Sequence, residues 1–127
     1  MNRFNAFFDY VLRQSGGQFS ATQAANTLGV ARPTVESHLR ALAITHAAVV
    51  LRPHAGSGSG ELSRQPKVYG FDTGFVAFAR GWDTLRTDDC GPLWEHVVLE
   101  HVLAHFPDLA VRYWRDKQGH EVDFVLP

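Results

Sequence analysis

Three sets of side chains in this sequence have types and spacings that can do chemistry. His101 and His105 stand four residues apart, which puts both imidazoles on one face of a helix and suits Zn²⁺. The segment HVLAH lacks the glutamate of the H-E-x-x-H pattern, and no third ligand follows at a predictable spacing, so a solvated face is expected and no metal is assigned. The second set centres on Asp123. It lies in GHEVDFVLP, residues 119–127, as an acid inside an otherwise apolar run. A carboxylate there is either a surface position on an edge strand or part of a site. The third set is polar and basic: Arg32, Thr34, Ser37, His38 and Arg40, interrupted by Glu36. Arginine can neutralise phosphate or read guanine, and hydroxyls can donate to phosphates or bases. Glu36 would repel phosphate.

The elements that must position these residues follow from periodicity. Phe4, Phe7, Phe8, Val11 and Leu12 recur at i, i+3, i+4, i+7 and i+8, so residues 3–15 are predicted to be a helix with one apolar face. Gly16 and Gly17 stop it, and QFS (18–20) follows as a short strand. Ser20 and Gln23 form a capping box for a second helix, ATQAANTL, which Gly29 ends. Pro33 sits in the first turn of a third helix, where its missing N–H costs nothing, and Val35, Leu39 and Leu42 give that helix its apolar side. The period then changes. ITHAAVVLRP (44–53) and PKVYGFD (66–72) read as two strands joined by a flexible glycine- and serine-rich loop. Residues 72–82 read as a short helix or turn, and DTLRTDDCG as a polar linker. A helix over LWEHVVLEHVLAHF ends at Pro107, and strands follow at 109–116 and 120–127.

Three helices and a β-ribbon make a winged helix–turn–helix, with the third helix placed to enter a major groove. The loop at 54–65, with His54, Arg64 and Lys67 at its roots, is the expected wing. The fold class expected is therefore α+β: a winged helix–turn–helix over residues 1–82, followed over 83–127 by a helix and β-hairpin. The DNA-contacting candidates are Arg32, Thr34, Ser37, His38, Arg40, Arg64 and Lys67. Winged helices also serve as interaction and dimerisation modules, so self-association through the hairpin's unpaired edge is the alternative.

Bulk properties bound the reading. The 127 residues are 45% apolar and 20% charged, a globular balance. No apolar run is long enough for a membrane span, and the start lacks signal-peptide features. With a single cysteine, Cys90, no intrachain disulfide can form, and a cytoplasmic location is expected. The net charge of −1 conceals an asymmetry: residues 1–80 hold eight Lys/Arg and four acids, residues 81–127 four bases and nine acids. Two regions with different tasks are implied. Trp82, Trp94 and Trp114 are expected to pack the second region on the first.

RFNAFFDYVLRQSGGQFSATQAANTLGVARPTVESHLRAL, QPKVYGFDTGF, GPLWEHVVLEHVL and YWRDKQGHEVDFV, in that order, resemble the C-terminal part of a family of bacterial and archaeal AAA-type ATPases. The resemblance covers nearly the whole chain. It implies a P-loop ATPase domain first, then a winged helix, then a domain of unknown function resembling restriction-endonuclease-like folds. The phosphate-cradling pattern G-x-x-x-x-G-K-[ST] is missing here, and AGSGSGEL (55–62) has no Lys in place, so ATP and Mg²⁺ are implied for the parent family only. A nuclease-like site holds a divalent metal with carboxylates from a helix and two strands. By resemblance Glu95 matches the helix acid, with Glu100 a less apt substitute, and Asp123 matches the strand acid. The third element, with its second carboxylate and lysine, would begin beyond Pro127. The expectation is a non-catalytic, C-terminal DNA-binding or regulatory fragment of a longer ATPase, not an enzyme, with no cofactor of its own. Its expected partners are double-stranded DNA, the parent ATPase domain and a second copy of the chain; metal-dependent nuclease activity is the remaining alternative.

Overall fold

The computed structural model describes residues 2–55 and 65–127. The described residues form an α+β fold. Helices α1 (Arg3–Arg13), α2 (Ala21–Leu28) and α3 (Arg32–Ile44) come first, with the short strand β1 (Gly17–Gln18) between α1 and α2. Strands β2 (Ala48–Pro53) and β3 (Lys67–Gly70), helices α4 (Thr73–Ala79) and α5 (Thr87–His105), and strands β4 (Arg112–Arg115) and β5 (Glu121–Val125) complete it.

Local chemistry explains the first boundaries. The Ser20 hydroxyl accepts from the Gln23 amide, and Gly29 closes α2 in the left-handed region at φ 64°. Asp72 caps α4 by accepting from the amides of Gly74 and Phe75. Two boundaries differ most from those expected. The strand expected from residue 44 begins at Ala48, because α3 runs on to Ile44. Its last turn is closed by the Thr45 hydroxyl donating to the Ala41 and Leu42 carbonyls and by the Ala47 amide donating to Leu42 O. The polar segment 83–91 is not all linker: α5 starts at Thr87 and contains Pro92 in its second turn. The Arg86 amide donates to the Asp89 carboxylate at 2.9 Å, and Asp88 and Asp89 place negative charge at the helix start, where the dipole favours it.

The five strands make one sheet in the order β1-β3-β2-β4-β5. All neighbours are antiparallel except β2 and β4, which run parallel with Arg52 beside Arg112 and Pro53 beside Tyr113. Strand alternation sends β3 to two different cores. Val68 joins Phe7, Val11, Phe19, Val35 and Leu42 beneath the first three helices. Tyr69 joins Leu51, Leu99, Val111 and Tyr113 on the opposite face, beneath α5. The regions before and after residue 82 therefore meet across one sheet and share an apolar cluster. Trp94, expected at that junction, is 67% exposed instead, because Leu99 and the buried His96 take the inward face of α5.

Gly70 marks the tightest contact between β3 and the helices. A Cβ there would lie 2.8 Å from Leu12 Cδ2 and 3.2 Å from Val76 Cγ2. Its amide donates to the buried Ser15 hydroxyl at 2.7 Å. Gly70→Ala is expected to destabilise the chain by about 1–3 kcal/mol through overpacking, read as a lower urea midpoint; an unchanged midpoint would refute this close approach.

Candidate functional site

Two arrangements stand out, one on each side of the sheet. The first is built on Lys67. Lys67 and Tyr69 share a face of β3, while Glu121 and Asp123 share a face of β5. Two strands separate β3 from β5 in the sheet, yet the sheet curls far enough to bring their side chains together. The Lys67 ammonium donates to Glu121 Oε1 at 2.6 Å and Asp123 Oδ1 at 3.3 Å, and lies 3.7 Å from Glu95 Oε2 on α5. The Tyr69 hydroxyl donates to Glu95 Oε2 at 3.1 Å, and Arg115 donates to the second oxygen of Glu121 at 3.1 Å.

Lys67 is only 2% exposed, so its ammonium depends on these partners. Burial alone would lower its pKa; the Glu121 hydrogen bond, the neighbouring Tyr69 hydroxyl and the negative charge of Glu95 outweigh burial and hold it above the ordinary lysine value. Burial would raise the Glu121 pKa, but Lys67, Asp123 and Arg115 hold it below the usual carboxylate value. Burial also pushes the Tyr69 phenol up, against the opposing pull of Lys67.

The structure thus brings Glu95 and Asp123 together, with Lys67 as the centre of the group. Glu121 and Tyr69 belong to it and escaped the sequence reading, although Glu-x-Asp and Lys-x-Tyr on predicted strands are the period-two signal that could have found them. The assignment of Lys67 to a DNA-facing wing is corrected: its side chain is buried under α5 and β5, where no phosphate can reach it. The cluster does not fit a divalent cation, because the ammonium already lies where the three carboxylates converge. Among the described residues no three His, Cys, Asp or Glu side chains are grouped to hold a metal. The imidazoles of His101 and His105 lie 4.2 Å apart on an exposed face of α5, and His105 Nδ1 contacts the His101 carbonyl. Glu100 is exposed elsewhere on the same helix.

The second arrangement is a groove of about 790 Å³ between α3, the start of α2 and the edges of β2 and β3. Arg32, Glu36 and Arg40 line it from α3 at four-residue intervals, and Arg52 faces them from β2. All four are exposed, and Leu39 and Val50 supply an apolar floor. Arg32 Nε donates to Glu36 Oε1 at 3.0 Å, an ion pair that solvent weakens. Three guanidinium groups against one carboxylate leave the groove cationic. Arg52 was missed in sequence because it ends an apolar strand. Ser37 is exposed and Thr34 half-buried, and neither lines the groove. His38 is a further correction: it packs against the rings of Phe4 and Phe7 at 5.2 and 5.5 Å, because its position on α3 faces α1. Arg64 lies outside the described residues.

A buried polar link joins the two regions near these sites. The Ser15 side chain contacts His96 Nε2 at 2.6 Å, and His96 Nδ1 contacts the Pro92 carbonyl at 2.7 Å. Arg80 donates to the Ser15 carbonyl at 2.6 Å. Burial holds the His96 pKa below its ordinary value, against the pull of the Pro92 carbonyl. Both ring nitrogens are occupied and the ring is 2% exposed, so the pair ties the turn after α1 to α5.

Comparison with known families divides the chain close to the start of α5. Residues 1–86 match the family described as Domain of unknown function (DUF8612), and the chain belongs to that family. Residues 90–127 match Domain of unknown function (DUF4143), a domain found in AAA-ATPase-associated proteins. No curated protein and no solved structure matches the chain. No helix among the described residues is long and apolar enough to cross a membrane.

Proposed function

We propose that this chain is a non-catalytic winged-helix region of a AAA-type ATPase that binds double-stranded DNA through the groove between α3 and β2. The observation that carries this reading is the convergence of Arg32, Arg40 and Arg52 on one exposed groove. The order α1-β1-α2-α3-β2-β3, with β1, β3 and β2 paired antiparallel, supports the winged-helix reading. The match of residues 90–127 to a domain found in AAA-ATPase-associated proteins supports the parent class.

The chemistry is positional. Guanidinium groups on facing walls can each take a phosphate oxygen, fixing the register of a duplex without reading its sequence. The carboxylate cluster has no step in this reading: Lys67 and Arg115 pair with its three carboxylates internally. The test is fluorescence anisotropy with a labelled duplex at about 50 mM salt, where phosphate contacts are strongest. Saturable binding that weakens as salt rises is expected. A correctly folded chain that leaves the duplex unbound at that salt concentration would sink the reading.

A further inference from the structure

The far wall of the groove is held in place by residues that belong to the other half of the chain. Arg52, Gln65 and Pro66 form that wall, at the outer ends of β2 and β3. Tyr113 of β4 lies beneath them and is fully buried. Its hydroxyl donates to the Gln65 carbonyl and accepts from Gln18 Nε2 at 3.2 Å. Its backbone carbonyl accepts from the His54 amide at 2.6 Å, just past the end of β2. Its strand pairs with β2 at Arg52 itself. The Lys67 ammonium, bound to Glu121 on β5, lies over the Tyr113 ring at 5.8 Å. The Pro66 carbonyl accepts from the Phe19 amide at 2.7 Å, tying the same wall to the segment that leads into α2.

We infer that the β4–β5 hairpin sets the aperture of the arginine groove, with Tyr113 as its positioning residue. This rests on the groove binding duplex phosphate. Guanidinium groups on two walls can take phosphates of one backbone only at a fixed separation. The α3 wall is fixed by its packing on the helical core, through Val35 and Leu42. The β2 wall is an exposed strand end, and among the described residues the contacts named above fix it from below. A displacement of the hairpin therefore moves Arg52 relative to Arg32 and Arg40. Anything that binds the hairpin or α5 alters duplex affinity by that route, and duplex binding in turn stiffens the hairpin.

The experiment compares the wild-type chain with Tyr113→Phe, Arg52→Ala and the double variant. Tyr113→Phe keeps the buried ring and removes only the hydroxyl. Duplex binding is measured by anisotropy over a salt series, and amide exchange is followed at Phe19 and His54. Tyr113→Phe is expected to weaken binding about threefold to tenfold and to flatten the salt slope by about one contact, as Arg52→Ala does. The double variant is expected to bind no more weakly than Arg52→Ala alone, because Tyr113 acts on binding only through the placement of Arg52. Exchange at Phe19 and His54 is expected to quicken in Tyr113→Phe. Full additivity in the double variant, or wild-type affinity in Tyr113→Phe, overturns the inference while leaving the groove reading intact. If the wild-type chain binds no duplex, the groove reading fails instead. The aperture claim then stands or falls on the exchange rates alone, and unchanged rates at Phe19 and His54 overturn it.

Discussion

Replacing Lys67 with methionine is expected to destabilise the chain by about 3 kcal/mol, read as a lower urea midpoint at neutral pH. Removing one partner of a buried ionic group costs about 3–5 kcal/mol, because the remaining charges are left uncompensated. The lower end applies because the side chains of Glu95, Glu121 and Asp123 keep 29%, 22% and 47% of their exposure. Methionine fills the lysine volume, so the loss is electrostatic. Lys67→Met combined with Glu121→Gln and Asp123→Asn is therefore expected to recover much of it. No recovery would mean that the stem of Lys67, and not its charge, holds the cluster.

The same variant makes a statement about pH. Lys67 titrates above its ordinary value of 10.5 in the folded chain, so its contribution is present below that pH and lost as pH rises beyond it. Glu121 titrates below its ordinary value of 4.5, so its contribution is present above that pH and lost as pH falls through the folded value. Wild-type stability from this cluster is thus level between those limits and declines on acidification below 4.5. Without Lys67 the carboxylates repel one another and protonation relieves them. The stability gap between Lys67→Met and wild type is expected to narrow as pH falls through the carboxylate range, measured by urea unfolding at several pH values. A constant gap would mean that the carboxylates do not feel Lys67.

Replacing Arg32, Arg40 and Arg52 together by alanine is expected to abolish salt-dependent duplex binding. Each phosphate contact contributes about 0.9 to the slope of log affinity against log salt, so three contacts give a slope near −2.7. On that slope, raising salt from 50 to 200 mM weakens wild-type binding roughly 40-fold. The triple variant should show no slope and an affinity lower by a similar factor at the low-salt end, while each single variant should lose about one contact. All three residues are exposed, so the folded state should survive their loss. A triple variant with an undiminished slope would move the interface off the groove.

Much of the local structure was legible because it is set by neighbours in sequence. The Ser20 cap, the Gly29 stop and the apolar face of α1 all follow from residues within one or two helical turns. The start of α5 was not legible, because Arg86 supplies its amide to Asp89 without the usual side-chain cap from the first residue. Lys67 was misplaced for a physical reason. A lysine beside a polar loop ordinarily points to water, and its partners Glu95, Glu121 and Asp123 lie far along the chain, on α5 and β5. Glu95 and Asp123 were singled out through the family resemblance, whereas the ammonium that joins them requires the curl of the sheet. Arg40 was legible as an outward cation on α3. Arg52 was not, since its role depends on which strand end faces α3.

The parallel pairing of β2 with β4 also governs the order in which this chain assembles. The two helical turns and the β2–β3 pairing join residues close in sequence, whereas Arg52 meets Arg112 only after a loop of about sixty residues closes, at a higher entropic cost. Contacts of such separation form slowly. β2 therefore waits as an open edge, and Lys67 stays hydrated, until the β4–β5 hairpin docks. The acids of β5 lie 54 and 56 positions beyond Lys67, so its burial is completed only when that hairpin docks.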